Sequence, residues 1–163
     1  MMSLQIDNDL RTISIPEDIT FLGVAGDKNV RFLEFTMPST YGDIDLSGYD
    51  IVINYKNIEG GRMRKSEGSY AIAGAAVLDD TITFAWQIGA DPCKYHGDTW
   101  FSVSLINGDS NVFNTQWVSL PVLQKQMCRK PAENEAGGET IVIDMGNVTL
   151  SVRDENLIIT GGA

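Results

Sequence analysis

The chain is poor in the side chains that do chemistry. Its 163 residues include two cysteines, Cys93 and Cys128, and one histidine, His96. A structural zinc site takes four Cys or His ligands, so these three do not make one. Disulfide-stapled secreted scaffolds use far denser cysteine, and a bridge between two thiols 35 positions apart is not expected in a reducing compartment. Long hydrophobic runs are also missing. The longest uncharged apolar stretch, residues 70–78, falls well short of the roughly 20 residues of a spanning helix, so no membrane segment is expected. The first ten residues, MMSLQIDNDL, carry neither a basic nor an apolar leader segment. They do not read as a secretory signal, and synthesis in the cytoplasm is the expectation. Basic residues are few: 12 Lys and Arg stand against 22 Asp and Glu, a formal charge of −10. Phosphate binding needs clustered cations, so nucleic acid is not an expected partner.

What is present is a succession of strands. Period-two alternation, the signature of a half-buried strand, is clear in five places. It sets Leu33, Phe35 and Met37 on one face, then Ile51, Ile53 and Tyr55, then Ile82, Phe84 and Trp86. Phe101, Val103 and Leu105 follow, and within residues 112–120 Phe113, Thr115 and Trp117 are read as inward. Weaker strands are expected at 12–15, 19–23 and 69–72. Turn clusters separate them, among them Gly26-Asp27-Lys28-Asn29 and Asn107-Gly108-Asp109-Ser110-Asn111, where Asn and Gly tolerate positive φ. Helix is expected only as a turn near 88–95 and a short piece within 123–130. Seven or eight short strands at this spacing indicate an all-β, antiparallel, immunoglobulin-like β-sandwich, with one core holding Phe35, Ile53, Phe84, Trp86, Val103 and Trp117.

Lys130-Pro131-Ala132-Glu133-Asn134-Glu135-Ala136-Gly137-Gly138 breaks the pattern with proline, acid and glycine, as linkers do. The expected organisation is an N-terminal arm over 1–10, a sandwich over 11–124, a linker over 125–139 and a β appendage over 140–163. The appendage reads as a three-stranded meander, Thr140–Asp144, Val148–Val152 and Leu157–Thr160. Residues 132–163 carry one basic and six acidic groups, against 11 and 16 before them. Three short strands cannot bury an apolar face alone. Ile141, Ile143, Leu150, Val152, Leu157 and Ile159 are therefore candidate oligomerisation or attachment residues.

Other constellations are weaker. The acid pairs Asp7/Asp9, Asp43/Asp45 and Asp79/Asp80 raise glycoside hydrolysis or calcium binding, but a glycosidase needs one carboxylate in an apolar pocket. These pairs sit in solvated loops, and the EF-hand spacing with its terminal Glu is absent. His96 lies in Cys93-Lys94-Tyr95-His96-Gly97 without the context of a catalytic triad. Arg62, Arg64 and Lys65 read as a solvated hairpin tip or as a contact to an acidic neighbour. No catalytic, metal or cofactor residue is assigned. Trp100 alternates out of the core, and an exposed tryptophan on a sandwich can stack on a sugar ring. A carbohydrate-binding module is thus a competing reading, to be judged by whether Trp100 lies beside other aromatics.

Several segments together carry a family resemblance: Arg11-Thr12-Ile13-Ser14-Ile15-Pro16, Phe21-Leu22-Gly23-Val24, Val30 to Pro38, Tyr41 to Ser47, Ile53-Asn54-Tyr55, Thr81 to Trp86, Phe113-Asn114-Thr115 and Ser119 to Leu123. Residues 11–124 resemble the N-terminal immunoglobulin-like domain of the baseplate upper protein family of tailed bacteriophages. The resemblance implies a non-enzymatic virion component, made in the bacterial host cytoplasm, that anchors to the particle and binds other virion proteins. In that family the domain leads into long helical or fibre segments, whereas here a linker and a short β tail follow. That departure suits a head decoration or head-fibre protein equally well. A homo-oligomer is expected, with threefold symmetry as the guess and a host glycan as a further possible ligand.

Overall fold

The computed structural model of the protein describes residues 3–61 and 64–125 with their side chains, and beyond them the backbone of five short strands. The chain divides into two units, Met1–Lys125 and Gln126–Ala163. Strands of the larger unit are β1 (Ser3–Asp7), β2 (Thr12–Ser14), β3 (Gly23–Val24), β4 (Phe32–Pro38), β5 (Thr40–Tyr41), β6 (Ile44–Asp45) and β7 (Asp50–Glu59). They continue with β8 (Lys65–Ile72), β9 (Ala76–Leu78), β10 (Thr81–Gln87), β11 (Gly97–Asn107), β12 (Ser110–Asn114) and β13 (Val118–Leu123). The only helical element among the described residues is a single 3₁₀ turn, Asp91–Cys93.

Two large sheets form, in the orders β2-β1-β4-β10-β9 and β3-β13-β11-β7-β8, with β12 also pairing β11, and β5 and β6 make a separate two-stranded pair. The result is the all-β sandwich that the alternation implies. Two pairings are parallel, β1 with β4 and β13 with β3; the other pairings are antiparallel. Residues 3–7, expected as an arm, instead form β1 between β2 and β4 and bury Leu4 and Ile6. The physical reason is visible in the sequence Leu4-Gln5-Ile6, whose short alternation completes the inner face. Residues 19–23 do not form the expected strand; only Gly23–Val24 pairs, while Ile19 and Leu22 are buried as loop residues.

Inward residues of both sheets make one aromatic-rich core. Phe35 stacks on its cross-strand partner Phe84 with ring centroids 5.1 Å apart and planes 5° apart. Phe101 of the opposite sheet meets Phe35 edge-on at 6.2 Å, and Trp86 meets Phe101 at 5.7 Å. Such offset and edge contacts suit the ring quadrupoles and add to the burial itself. One end of the core is closed by polar groups that are fully paired. Buried Asn57 donates to the Tyr95 carbonyl and the Thr99 hydroxyl and accepts from the Tyr95 N–H, while Thr99 donates to the Pro92 carbonyl. This network pins the 3₁₀ turn where the chain crosses from β10 in one sheet to β11 in the other. Gly97 opens β11 at φ +143°, where a Cβ would strike the Ile58 carbonyl.

The expected core member Trp117 is outside, 50% exposed. A β-bulge is responsible. β11 pairs Ser104 with Asn114 and Phe101 with Val118, so one extra residue is inserted on the second strand. Thr115 still bonds Val103, its N–H to the Val103 carbonyl and its hydroxyl accepting the Val103 N–H, each at 2.9 Å. The inserted residue inverts the parity beyond it, so that Leu120 and Val122 point inward and Trp117 outward.

The smaller unit contains β14 (Ala132–Glu133), within the segment read as linker, paired with β15 (Glu139–Thr140), which straddles its end, and the meander β16 (Ile143–Asp144), β17 (Val148–Arg153) and β18 (Asn156–Gly161). Of residues 123–130, within which a short helix is expected, Leu123 closes β13, 124–125 are not helical and 126–130 lie outside the described residues.

Trp86 is the largest fully buried side chain, and its indole N–H has no hydrogen-bond partner among the described residues. Trp86→Ala should cost on the order of 3–5 kcal/mol in urea denaturation through cavity formation. Trp86→Phe should lose clearly less, because no hydrogen bond is given up. Equal losses for the two would contradict this packing.

Candidate functional site

The outer face of the second sheet gathers groups that a solvated sheet does not ordinarily display together. Register places Trp100 of β11 directly between Lys56 of β7 and Ser119 of β13. Strand alternation turns Trp100 away from the core, leaving it 40% exposed. The bulge turns Trp117 out beside it. Lys56, Ile58, Trp100 and Trp117 line one open groove of about 530 Å³.

A second groove, of about 460 Å³, adjoins the first at Trp117 and is lined by Asn54, Ser102, Ser104, Asn111 and Asn114 with Val52, Ile106 and Thr115. Its polar members form a row of hydrogen bonds across four strands. The Ser69 hydroxyl donates to Asn54 Oδ1 at 2.9 Å, Asn54 Nδ2 donates to the Ser104 hydroxyl at 2.9 Å and to Ser102 at 3.3 Å, and Ser104 donates to Asn114 Oδ1 at 2.7 Å. Ser102 and Ser104 are buried on this outer side. The face is thus a fixed surface with an apolar aromatic half and a neutral amide and hydroxyl half. Sequence reasoning found Trp100 but missed Trp117, because the bulge that exposes it leaves no mark in a period-two pattern.

The other sequence candidates are dispersed. Asp7 and Asp45 build turns: Asp7 Oδ1 accepts the N–H groups of Asp9 and Leu10, and Asp45 Oδ1 accepts both the hydroxyl and the N–H of Ser47. The Ser47 hydrogen bonds hold the Asp45 carboxyl below its ordinary pKa. Asp79 and Asp80 both adopt positive φ in the β9–β10 turn. No group of three or more His, Cys, Asp or Glu among the described residues is placed to hold a metal ion. His96 is half-buried, and its carbonyl accepts the Gly60 N–H. Arg64, read as part of a solvated hairpin tip or as a contact to an acidic neighbour, is 58% exposed, pairs bidentately with the buried Glu59 at 2.7 and 2.8 Å and lies over the Tyr95 ring. Arg62 lies outside the described residues.

In the smaller unit the register sets Ile143 opposite Leu150, Leu150 opposite Ile159, and Val152 opposite Leu157. Five of the six attachment candidates therefore meet in cross-strand pairs, and Ile141 lies outside the described residues.

Fold and surface together define a two-sheet β-sandwich carrying an exposed tryptophan face. No protein-family model matches the chain, and a search of curated proteins gives no match. Among solved structures the chain is similar to one titled "N-terminal domain of phage TP901-1 ORF48", at 8% sequence identity and a TM-score of 0.45, over 75% of this chain and 96% of that one.

Cys93 is free and buried, and burial is the main cause that pushes its thiol up to about 11. The thiolate is the reactive form, so in a Cys128→Ser background native Cys93 should resist iodoacetamide at pH 8 while the unfolded chain reacts. A folded pKa above the unfolded value stabilises fully below about pH 9 and loses that contribution as pH rises through about 11. Urea midpoints should accordingly fall across that window, and by less in Cys93→Ala measured relative to its own pH 8 value.

Proposed function

We propose that this protein is a non-enzymatic structural component of a tailed-phage virion, in which the sandwich anchors to the baseplate or tail and the C-terminal segment oligomerises or attaches to a neighbour. The observation that carries the reading is the coincidence of two limits. The family resemblance covers residues 11–124, and the sandwich unit closes at Lys125. Within that span the resembling segments become framework elements: residues 12–14 form β2, 32–38 form β4, 81–87 form β10 and 118–123 form β13. Attachment to the capsid as a head decoration or head-fibre protein is the alternative location.

The tail supports the second half of the proposal. Its apolar positions fall opposite one another in a meander too small to be stable alone. Covering them with sister chains yields about 25 cal/mol per Å² of apolar surface, enough over several side chains to drive association. Identical subunits usually close with cyclic symmetry, and a trimer is the proposed form. Other virion proteins are the proposed partners, with no cofactor involved.

Light scattering on the full chain and on a version ending at Pro131 tests the oligomer. The full chain should be an oligomer, and the shorter one a folded monomer or a weaker oligomer. Two monomers of equal thermal stability would move the tail's partner to a different virion protein. Cryo-electron microscopy of purified particles tests the location, and particles lacking the protein at head, neck and baseplate would end the reading.

A further inference from the structure

We propose that the outer face of the second sheet is a saccharide-binding site that takes a pyranose bearing an anionic substituent. A pyranose is amphipathic in the same way as this face. Its axial C–H groups make an apolar surface that packs on an aromatic ring, while hydroxyls around its rim need directional partners. Trp100 and Trp117 supply the aromatic surface in one groove. The amide and hydroxyl row supplies the partners in the adjoining groove, which Trp117 shares.

The row still has bonding capacity. Asn114 uses its Oδ1 and Ser102 accepts from Asn54, so the Asn114 amide N–H groups and the Ser102 hydroxyl hydrogen have no protein partner among the described residues. Ser102 is 96% buried and lines the groove, so the fold fixes where its hydroxyl oxygen sits. A small number of fixed polar groups beside an apolar wall is the composition of sites for small ligands.

Charge selects the sugar class. Lys56 is the only charged residue lining either groove. Among the described residues its ammonium has no ion-pair partner, since the neighbouring Glu67 pairs with Lys65 at 3.4 Å. Among the lining residues the one charge is positive, and it is complementary to a carboxylate- or phosphate-bearing sugar; Glu67, across from Lys56, and Asp98, across from Ile58, lie at the groove's margin. A sister chain or another protein is less well matched. A sister chain would bring a net charge of −10 to a face where Lys56 is the one lining cation.

The test uses the full-length protein on an array of neutral and acidic bacterial polysaccharides and oligosaccharides, followed by tryptophan fluorescence titration with each ligand retained. Acidic glycans should bind saturably. Trp100→Ala and Trp117→Ala should each weaken binding at least tenfold in protein that still melts cooperatively, since neither side chain belongs to the buried core. Lys56→Gln, which keeps the side-chain stem, should remove the preference for acidic over neutral glycans. Retention of no glycan, equal retention of neutral and acidic ones, or binding indifferent to both tryptophan substitutions would overturn the proposal. So would sedimentation showing self-association that Trp100→Ala abolishes, which would assign the face to a second copy. Because the readout is sugar binding by isolated protein, its failure leaves the virion reading standing, and the particle experiments leave this one standing.

Discussion

The contact between Phe35 and Phe84 organises the molecule. Both residues sit at the centre of β4 and β10, opposite each other in register, and their rings close to 5.1 Å on the inner face of the first sheet. Phe101 reaches them from the second sheet, so the same cluster fixes the strands within one sheet and the separation between the two. Sheets that face each other across about 10 Å are held by this kind of interdigitation. Its consequence extends to the surface. With Phe101, Val103 and Leu105 committed inward, Trp100, Ser102 and Ser104 have no choice but to face out, and the exposed groups inherit the rigidity of the core.

The bulge between β12 and β13 adds what alternation alone cannot. An uninterrupted strand through residues 112–120 would put Trp117 in the core and leave Trp100 a solitary exposed ring. One inserted residue sends Trp117 to the outside, and Thr115 compensates with its own hydroxyl for the ladder bond that Val103 would otherwise lose. Bulges concentrate where a strand must re-aim a side chain. Here the re-aimed side chain completes a groove, while Thr115 keeps both backbone groups of Val103 hydrogen-bonded.

Buried polar groups serve a different purpose from the exposed row. Asn57, Thr99 and the Glu59–Arg64 pair sit at the end of the sandwich where the chain changes sheets, and each is hydrogen-bonded there. Paired buried polars cost little and specify one geometry, while unpaired ones are expensive. Carboxylates elsewhere are spent on turns: Asp7, Asp27 and Asp45 all accept backbone N–H groups two or three residues along the chain. Within the acidic pairs noticed in the sequence, Asp7 and Asp45 thus serve local backbone turns.

The sequence by itself determined the fold class, the inward faces of β4, β7, β10 and β11 and the exposed side of Trp100. Each of these follows from local information: a period of two places side chains, and clusters of Gly, Asp, Asn and Pro end strands. Tertiary structure alone decided the rest. β1 became an inner strand through parallel pairing with β4, a partner 31 residues away that no local pattern names. Trp117 left the core because an extra residue is accommodated only when the facing strand fixes both ends of the insertion. Arg64 was drawn to Glu59 by a hairpin register. The face joining Trp100, Trp117, Lys56 and Asn54 exists because β7 and β11 lie side by side, more than forty residues apart in sequence, and pairing at that range depends on the whole core closing first.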